Sequence, residues 1–310
     1  MLQERLTKEE IAKGEFHCHR VVSEVFSYKS EFQNIEVLET ESYGRGLFLD
    51  GRIQHVQADE YIYSESMVHP AMLFLNGSCR RALCIGGGPG GIVRELVKYK
   101  GMEKIIQVDI DSTMIDIAKT YFPHILQKSW DDPRVELVIA DAFDFLERIN
   151  LQFDLIINDL SEPLSGSPAA KFFSFEGIEK IKAHLDADRG IYVTWAGSSG
   201  PKSITLASKI IYTLKQVFPH TYCYITHPQA YGTSWLTVIG SIQDLAPVDK
   251  STKEIDIYID ASINGALRFY DGQTHHHMFT LPKDVRTLLV EPQTSISMEH
   301  PFCLNVEANR

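Results

Sequence analysis

CIGGGPGGIVREL, residues 84–96, decides the fold of this 310-residue chain. A run of glycines stands between an apolar stretch ending at Ile85 and the helical spacing of Ile92, Val93 and Leu96. Gly86, Gly88 and Gly91 fit G-x-G-x-x-G at a strand-to-helix junction. Such glycines let a ligand approach the backbone, and the helix that follows presents unpaired N–H groups at its start. The next apolar run, KIIQVDI (104–110), places Asp109 a little over twenty residues beyond Gly86. A carboxylate there accepts hydrogen bonds from ribose hydroxyls. Glycine-rich turns also arise from packing alone, and the pattern by itself does not separate a nicotinamide enzyme from a methyltransferase-like one.

Downstream, strand-like and helix-like segments alternate. RALCI (81–85), RVELVIA (134–140), FDLIIND (153–159) and GIYVTWA (190–196) read as strands. STMIDIAKTYF (112–122), AFDFLERI (142–149), FEGIEKIKAHL (175–185) and SITLASKIIYTLKQVF (203–218) read as helices. This alternation predicts an α/β fold, a parallel sheet with helices on both faces. CYITHP (223–228) and SWLTVIGS (234–241) are close enough to form an antiparallel edge. Upstream, residues 16–58 alternate β-branched and aromatic runs with turns at Gly44 and Asp50-Gly51, which predicts a small antiparallel sheet. Residues 59–76 carry a helical spacing. Two units are expected: an N-terminal β-domain with its connecting helix (1–76), and a Rossmann-like catalytic domain with a C-terminal extension (77–310). The tail from about residue 245 is expected to be an irregular outer covering.

Composition excludes several classes. The formal net charge of −11 repels phosphate backbones and anionic lipid, so neither nucleic acid nor membrane is an expected partner. The charged N-terminus lacks the apolar core of a secretory signal, and no apolar run approaches the roughly 20 residues of a membrane span. Five scattered cysteines (Cys18, Cys79, Cys84, Cys223, Cys303) form no CxxC pair and suit reduced thiols in the cytoplasm. Cys84, inside the first strand of the α/β unit, reads as a small buried hydrophobe. His275, His276 and His277 are adjacent and cannot converge on one ion, so they read as a solvated loop with no metal.

Two further strand ends carry acids. Asp141 follows RVELVIA, where it can accept an adenine amino group or simply cap the helix that begins at Ala142. Asp159 ends FDLIIND, with Glu162 three residues on. Attack on a sulfonium carbon needs a neutral amine, whereas an alkylamine has a pKa of about 10.4. A carboxylate beside it can take the proton, which is general-base work, and a second can hold another cationic nitrogen. Both acids can equally be caps of the following loop.

The chain resembles the polyamine synthase (aminopropyltransferase) family, which includes spermidine, spermine and thermospermine synthases. The resemblance rests on FQNIEVLETESYGRGLFLDGRIQHVQADEYIYSESMVHPAM (32–72), IGGGPGG, QVDID, DPRVELVIADAF, NDLSEP and GTSWLTVIGS, and INGALRFYDGQTHHHMF (263–279) is further similar to thermospermine synthases. It implies a small N-terminal antiparallel β-domain and a Rossmann-like, seven-stranded, methyltransferase-type sheet. It also implies a homodimer, decarboxylated S-adenosylmethionine as co-substrate, and an amine or polyamine acceptor. Gln33, Gly86, Gly88 and Ala142 would line the donor, Asp109 would hold its ribose and Asp141 its adenine. Asp159 would be the catalytic carboxylate, with Tyr63, Ser64, Glu162 and Tyr231 on the acceptor side.

Three positions depart from the family pattern. Pro89 stands where the glycine loop normally carries an acid that grips the aminopropyl amine, and proline offers neither a carboxylate nor an N–H. Ser64 replaces the His or Gln of YHE or YQE, and Glu162 replaces the second Asp of D-x-x-D-P. Losing the acid weakens recognition of a decarboxylated donor and removes a repulsive neighbour from ordinary S-adenosylmethionine. The alternative is therefore transfer of a methyl or 3-amino-3-carboxypropyl group from S-adenosylmethionine. A non-catalytic polyamine-binding relative is a third reading. An NAD oxidoreductase leaves D-x-x-E-P and the N-terminal sheet without a role.

Overall fold

The computed structural model describes residues 5–164, 166–291, 293–302 and 304; Cys303 lies outside these. Its first unit is a five-stranded antiparallel meander: β1 (Arg5–Ala12), β2 (Glu15–Lys29), β3 (Asn34–Thr40), β4 (Gly44–Leu49) and β5 (Arg52–Val56). Asp50 and Gly51 both have positive φ, as a tight two-residue hairpin requires, and this sets Leu49 opposite Arg52. β1 was not expected from the sequence. It is an edge strand bearing Lys8, Glu9 and Glu10, so it lacks an apolar alternation.

Helix α1 (Glu60–Leu75) leads into the second sheet. Its strands are β6 (Arg81–Gly86), β7 (Lys104–Asp109), β8 (Val135–Ile139), β9 (Leu155–Asp159), β10 (Ile191–Ser198), β11 (His220–Thr226) and β12 (Trp235–Ser241), in the spatial order β11-β12-β10-β9-β6-β7-β8. β6 to β10 are parallel, and β12 runs antiparallel between β10 and β11, the edge pair expected from the sequence. β6, β9 and β10 are almost wholly buried, which explains their continuous apolar runs. The intervening helices are α2 (Gly91–Val97), α3 (Ser112–Tyr121), α4 (Pro123–Leu126), α5 (Ala142–Arg148), α6 (Phe175–Lys182) and α7 (Thr205–Val217). None of the helices described is long and apolar enough to cross a membrane.

The tail contains three helices, α8 (Thr252–Ser262), α9 (Gly272–Phe279) and α10 (Lys283–Leu289), where an irregular covering was expected. Ser251 and Glu254 form a capping box for α8, and Asp271 caps α9 through Thr274 N–H. The tail is tied to α1 by Glu65, whose carboxylate accepts the backbone N–H groups of Arg268, Phe269 and Tyr270 at 2.8–2.9 Å. The solvated-loop reading of the three histidines is corrected: they lie on α9. His275 is fully buried, with its ring bonded to Tyr270 Oη and Pro247 O, each at 2.7 Å.

Candidate active site

The strand order reverses at β6, whose neighbours are β7 and β9, and ligands of such sheets bind at the carboxyl ends beside that point. Register puts Gly86, the last residue of β6, opposite Asp159, the last of β9. Gly86 has φ +76°, and a Cβ there would sit 2.7 Å from the Asp159 carbonyl oxygen. Gly87 N–H donates to that same oxygen at 3.1 Å. The glycine loop is thereby laid directly on the end of β9. Above it opens a cavity of about 780 Å³.

Its wall includes Gln33, Gly86, Gly88, Asp109, Asp141 and Ala142. Gln33 reaches across from the N-terminal sheet and donates to Asp111 at 3.3 Å. Burial pushes Asp109 up to about 6, helped by the nearby Asp111 carboxylate and opposed by the N–H groups of Asp111 and Ile110. Asp141 caps α5 by accepting from Phe143 N–H at 2.7 Å, and it pairs with Lys171 at 2.8 Å. Burial acts to raise its pKa, but Lys171 and the cap hold it below the usual carboxylate range. The cap therefore exists, and it leaves Asp141 on the cavity wall. Nothing in the sequence around Lys171 signals this pairing.

Asp159, Glu162, Tyr63 and Tyr231 line the same cavity. Tyr63 Oη donates to Asp159 Oδ1 at 2.5 Å. Burial lifts Asp159 from 3.8 to about 7; Tyr63 opposes the rise and the Asp109 charge adds to it. A carboxylate so placed is half ionised near neutral pH, as a general base requires. Tyr63, Tyr231 and Trp235 form an edge-to-face series with centroids 6.2 and 5.2 Å apart, and Tyr231 Oη donates to Gln54 O at 2.8 Å. Tyr63 is positioned by α1, which a buried ion group locks to α2: Arg94 bonds Glu60 at 2.8 Å and Glu95 at 2.7 Å, and His69 meets Glu95 at 2.9 Å.

Ser64 does not join them. One residue further along α1, it is turned about 100° from Tyr63. It is fully buried, and its hydroxyl donates to Glu60 at 3.2 Å. It also fills the space that a Cβ on Gly91 would need. The third glycine of the motif thus serves close packing of α2 on α1.

Sequence reasoning missed Glu9, Arg52, His55, Trp195 and Trp235, all on the cavity wall. His55 stacks edge-on to Tyr63 with centroids 5.7 Å apart, and burial followed by the Arg94 charge lowers it to about 4, leaving a neutral ring. Arg52 and Gln54 were visible as a period-2 pair in RIQHVQ, but that pattern assigns them no chemistry. Among the described residues, no group of three His, Cys, Asp or Glu side chains is arranged to hold a metal ion.

The comparisons with known proteins agree along most of the chain. A spermine/spermidine synthase domain model matches residues 60–250, and a spermidine synthase tetramerisation domain model matches residues 7–57. A polyamine aminopropyltransferase of Sulfurisphaera tokodaii is 35% identical over 94% of this chain and 95% of its own length. One from a Synechococcus species is 32% identical, covering 91% and 92%. Among solved structures, a spermidine synthase in complex with the transition-state analogue AdoDATO superposes with a TM-score of 0.82 at 26% identity, over 93% of this chain and 97% of that one. Spermidine synthase from Thermotoga maritima gives 0.81 at 26% identity, over 93% and 96%. The chain belongs to the spermine/spermidine synthase family.

Proposed function

We propose that the protein alkylates an amine from an adenosyl-sulfonium donor, transferring an aminopropyl group from decarboxylated S-adenosylmethionine to a polyamine. One observation carries this reading: a partly buried Asp159, raised to about 7, stands in register with the glycine loop and accepts from Tyr63. The acceptor amine forms a new N–C bond to the carbon beside the sulfonium as the C–S bond breaks. The bonding pair leaves with sulfur as a neutral thioether, and the amine's excess proton passes to Asp159. The sulfonium's own positive charge activates the leaving group, so the step calls for no metal.

In this reading Gln33, Gly86, Gly88 and Ala142 line the donor, Asp109 accepts from its ribose and Asp141 from its adenine. Tyr63, Glu162 and Tyr231 hold the acceptor, while Ser64 is left to packing. The transition-state analogue bound by the solved spermidine synthase supports the aminopropyl assignment. Pro89 favours a second reading, because it lines the cavity at the glycine loop and offers no carboxylate. That reading is use of ordinary S-adenosylmethionine. Incubation with each donor decides between them: methylthioadenosine formed only from the decarboxylated donor supports the first, and S-adenosylhomocysteine supports the second.

The tetramerisation-domain match supports self-association through the five-stranded sheet, with a homodimer as its unit. A cytoplasmic location and a division near residue 76 complete the proposal.

A further inference from the structure

The acceptor end of the cavity holds a cation. Arg52 and Gln54, on the same face of β5, both line the cavity. Arg52 Nε donates to Glu162 Oε1 at 3.1 Å, and its Nη2 meets Glu9 Oε1 at 3.1 Å. The second oxygen of Glu162 accepts from Gln54 Nε2 at 3.5 Å, and the second oxygen of Glu9 from Ile53 N–H at 3.1 Å. The Arg52 side chain is 21% exposed, that of Glu162 9% and that of Glu9 15%. Glu162 is three residues beyond Asp159, so their Cα atoms are at most about 11 Å apart. By bonding order the wall runs from Asp159 through Glu162 and Arg52 to Glu9; Arg52 is the fixed positive charge in this series, while burial raises both Asp159 and Glu9 to about 7 and leaves them only partly ionised at neutral pH.

At neutral pH the nitrogens of a linear polyamine are protonated, and only the one that reacts has to give up its proton. The next ammonium can share Glu162, because a carboxylate has about four acceptor sites and, among the described residues, two partners occupy them. A third nitrogen would meet a guanidinium that cannot discharge and is held in place by two carboxylates. We propose that Arg52 is a specificity-determining residue that limits the acceptor to a diamine by opposing the third nitrogen of longer polyamines. The inference rests on the amine-alkylation reading above.

The test measures kcat/KM with the aminopropyl donor for a diamine, a triamine and a tetraamine of equal methylene spacing. The wild type is expected to prefer the diamine. Arg52→Met, which keeps the unbranched stem of the side chain and removes its charge, is expected to raise the triamine-to-diamine ratio about ten-fold or more, since like charges juxtaposed across a site are strongly unfavourable. Arg52→Lys is expected to keep the wild-type preference. A wild type that uses the longer amines as well as the diamine overturns the proposal whether or not the variants fold. So does an unchanged ratio in an Arg52→Met protein that still gains thermal stability from the donor. Turnover with a flat ratio sinks the Arg52 assignment alone, whereas no turnover with any amine sinks the alkylation reading beneath it.

Discussion

Replacing Asp159 with Asn should make the protein more stable and nearly inactive. In the folded protein the carboxyl holds its proton up to about pH 7, against 3.8 for the ordinary group. The native state thus binds more protons than the unfolded chain between those values, and stability falls as pH rises through that window. A rise of about three units at about 1.4 kcal/mol each costs about 4 kcal/mol above pH 7. Asp109 shares the repulsion and relaxes in part, so the expected gain for Asp159→Asn at pH 8 is about 2–4 kcal/mol. At about 2 °C per kcal/mol for a chain of this size, Tm should rise by about 4–8 °C. Less than half of that advantage should remain at pH 5, and none below 3.8. Asn keeps an oxygen for the Tyr63 hydroxyl but cannot accept a proton, and kcat should fall by about 10²–10⁴. Thermal melts at pH 5 and 8, with thioether release at pH 8, read both effects. A variant no more stable than wild type at pH 8, or one keeping its rate within about ten-fold, would refute the reasoning.

Other predictions concern the same frame. In the wild type, kcat/KM should fall below about pH 7 as Asp159 takes up its proton. Tyr63→Phe removes a bond that favours the carboxylate, worth about 1.5–3 kcal/mol, so that acid limb should move up by about one unit or more; an unmoved limb would assign the base elsewhere. Gly86→Ala forces a side chain into positive φ and against the Asp159 carbonyl, and should cost at least about 1–2 kcal/mol and abolish the thermal shift given by the donor. Glu65→Ala strands three backbone N–H groups of the tail, with a loss of about 3 kcal/mol or more in denaturant melts. Ser64→Ala, turned away from the cavity, should leave the acceptor's KM unmoved in steady-state assays.

Asp109, Asp141 and Asp159 were legible because each ends an apolar run, and in a parallel sheet such ends face a common crevice. Their partners were not. Arg52 bonds Glu162 across 110 residues of chain and Lys171 bonds Asp141 across 30, and no local periodicity encodes pairings at that range. β1 escaped notice because an edge strand can be charged throughout, and Glu9 went with it. Ser64 was read from its place in a motif, but a helix turns consecutive residues to different faces, so only its neighbour Tyr63 reaches Asp159. The tail helices are short, with buried faces resting on few residues: Ile255 and Ile259 of α8, His275 and Met278 of α9, and Val285 of α10.

The central claim is that this site moves an aminopropyl group onto an amine with Asp159 as base. Its most direct measurement is the purified chain incubated with decarboxylated S-adenosylmethionine and a diamine, following adenosyl product and alkylated amine together. The account predicts equal amounts of methylthioadenosine and a product one aminopropyl unit longer, lost in Asp159→Asn. No product from that donor, with S-adenosylhomocysteine released from S-adenosylmethionine instead, would contradict it.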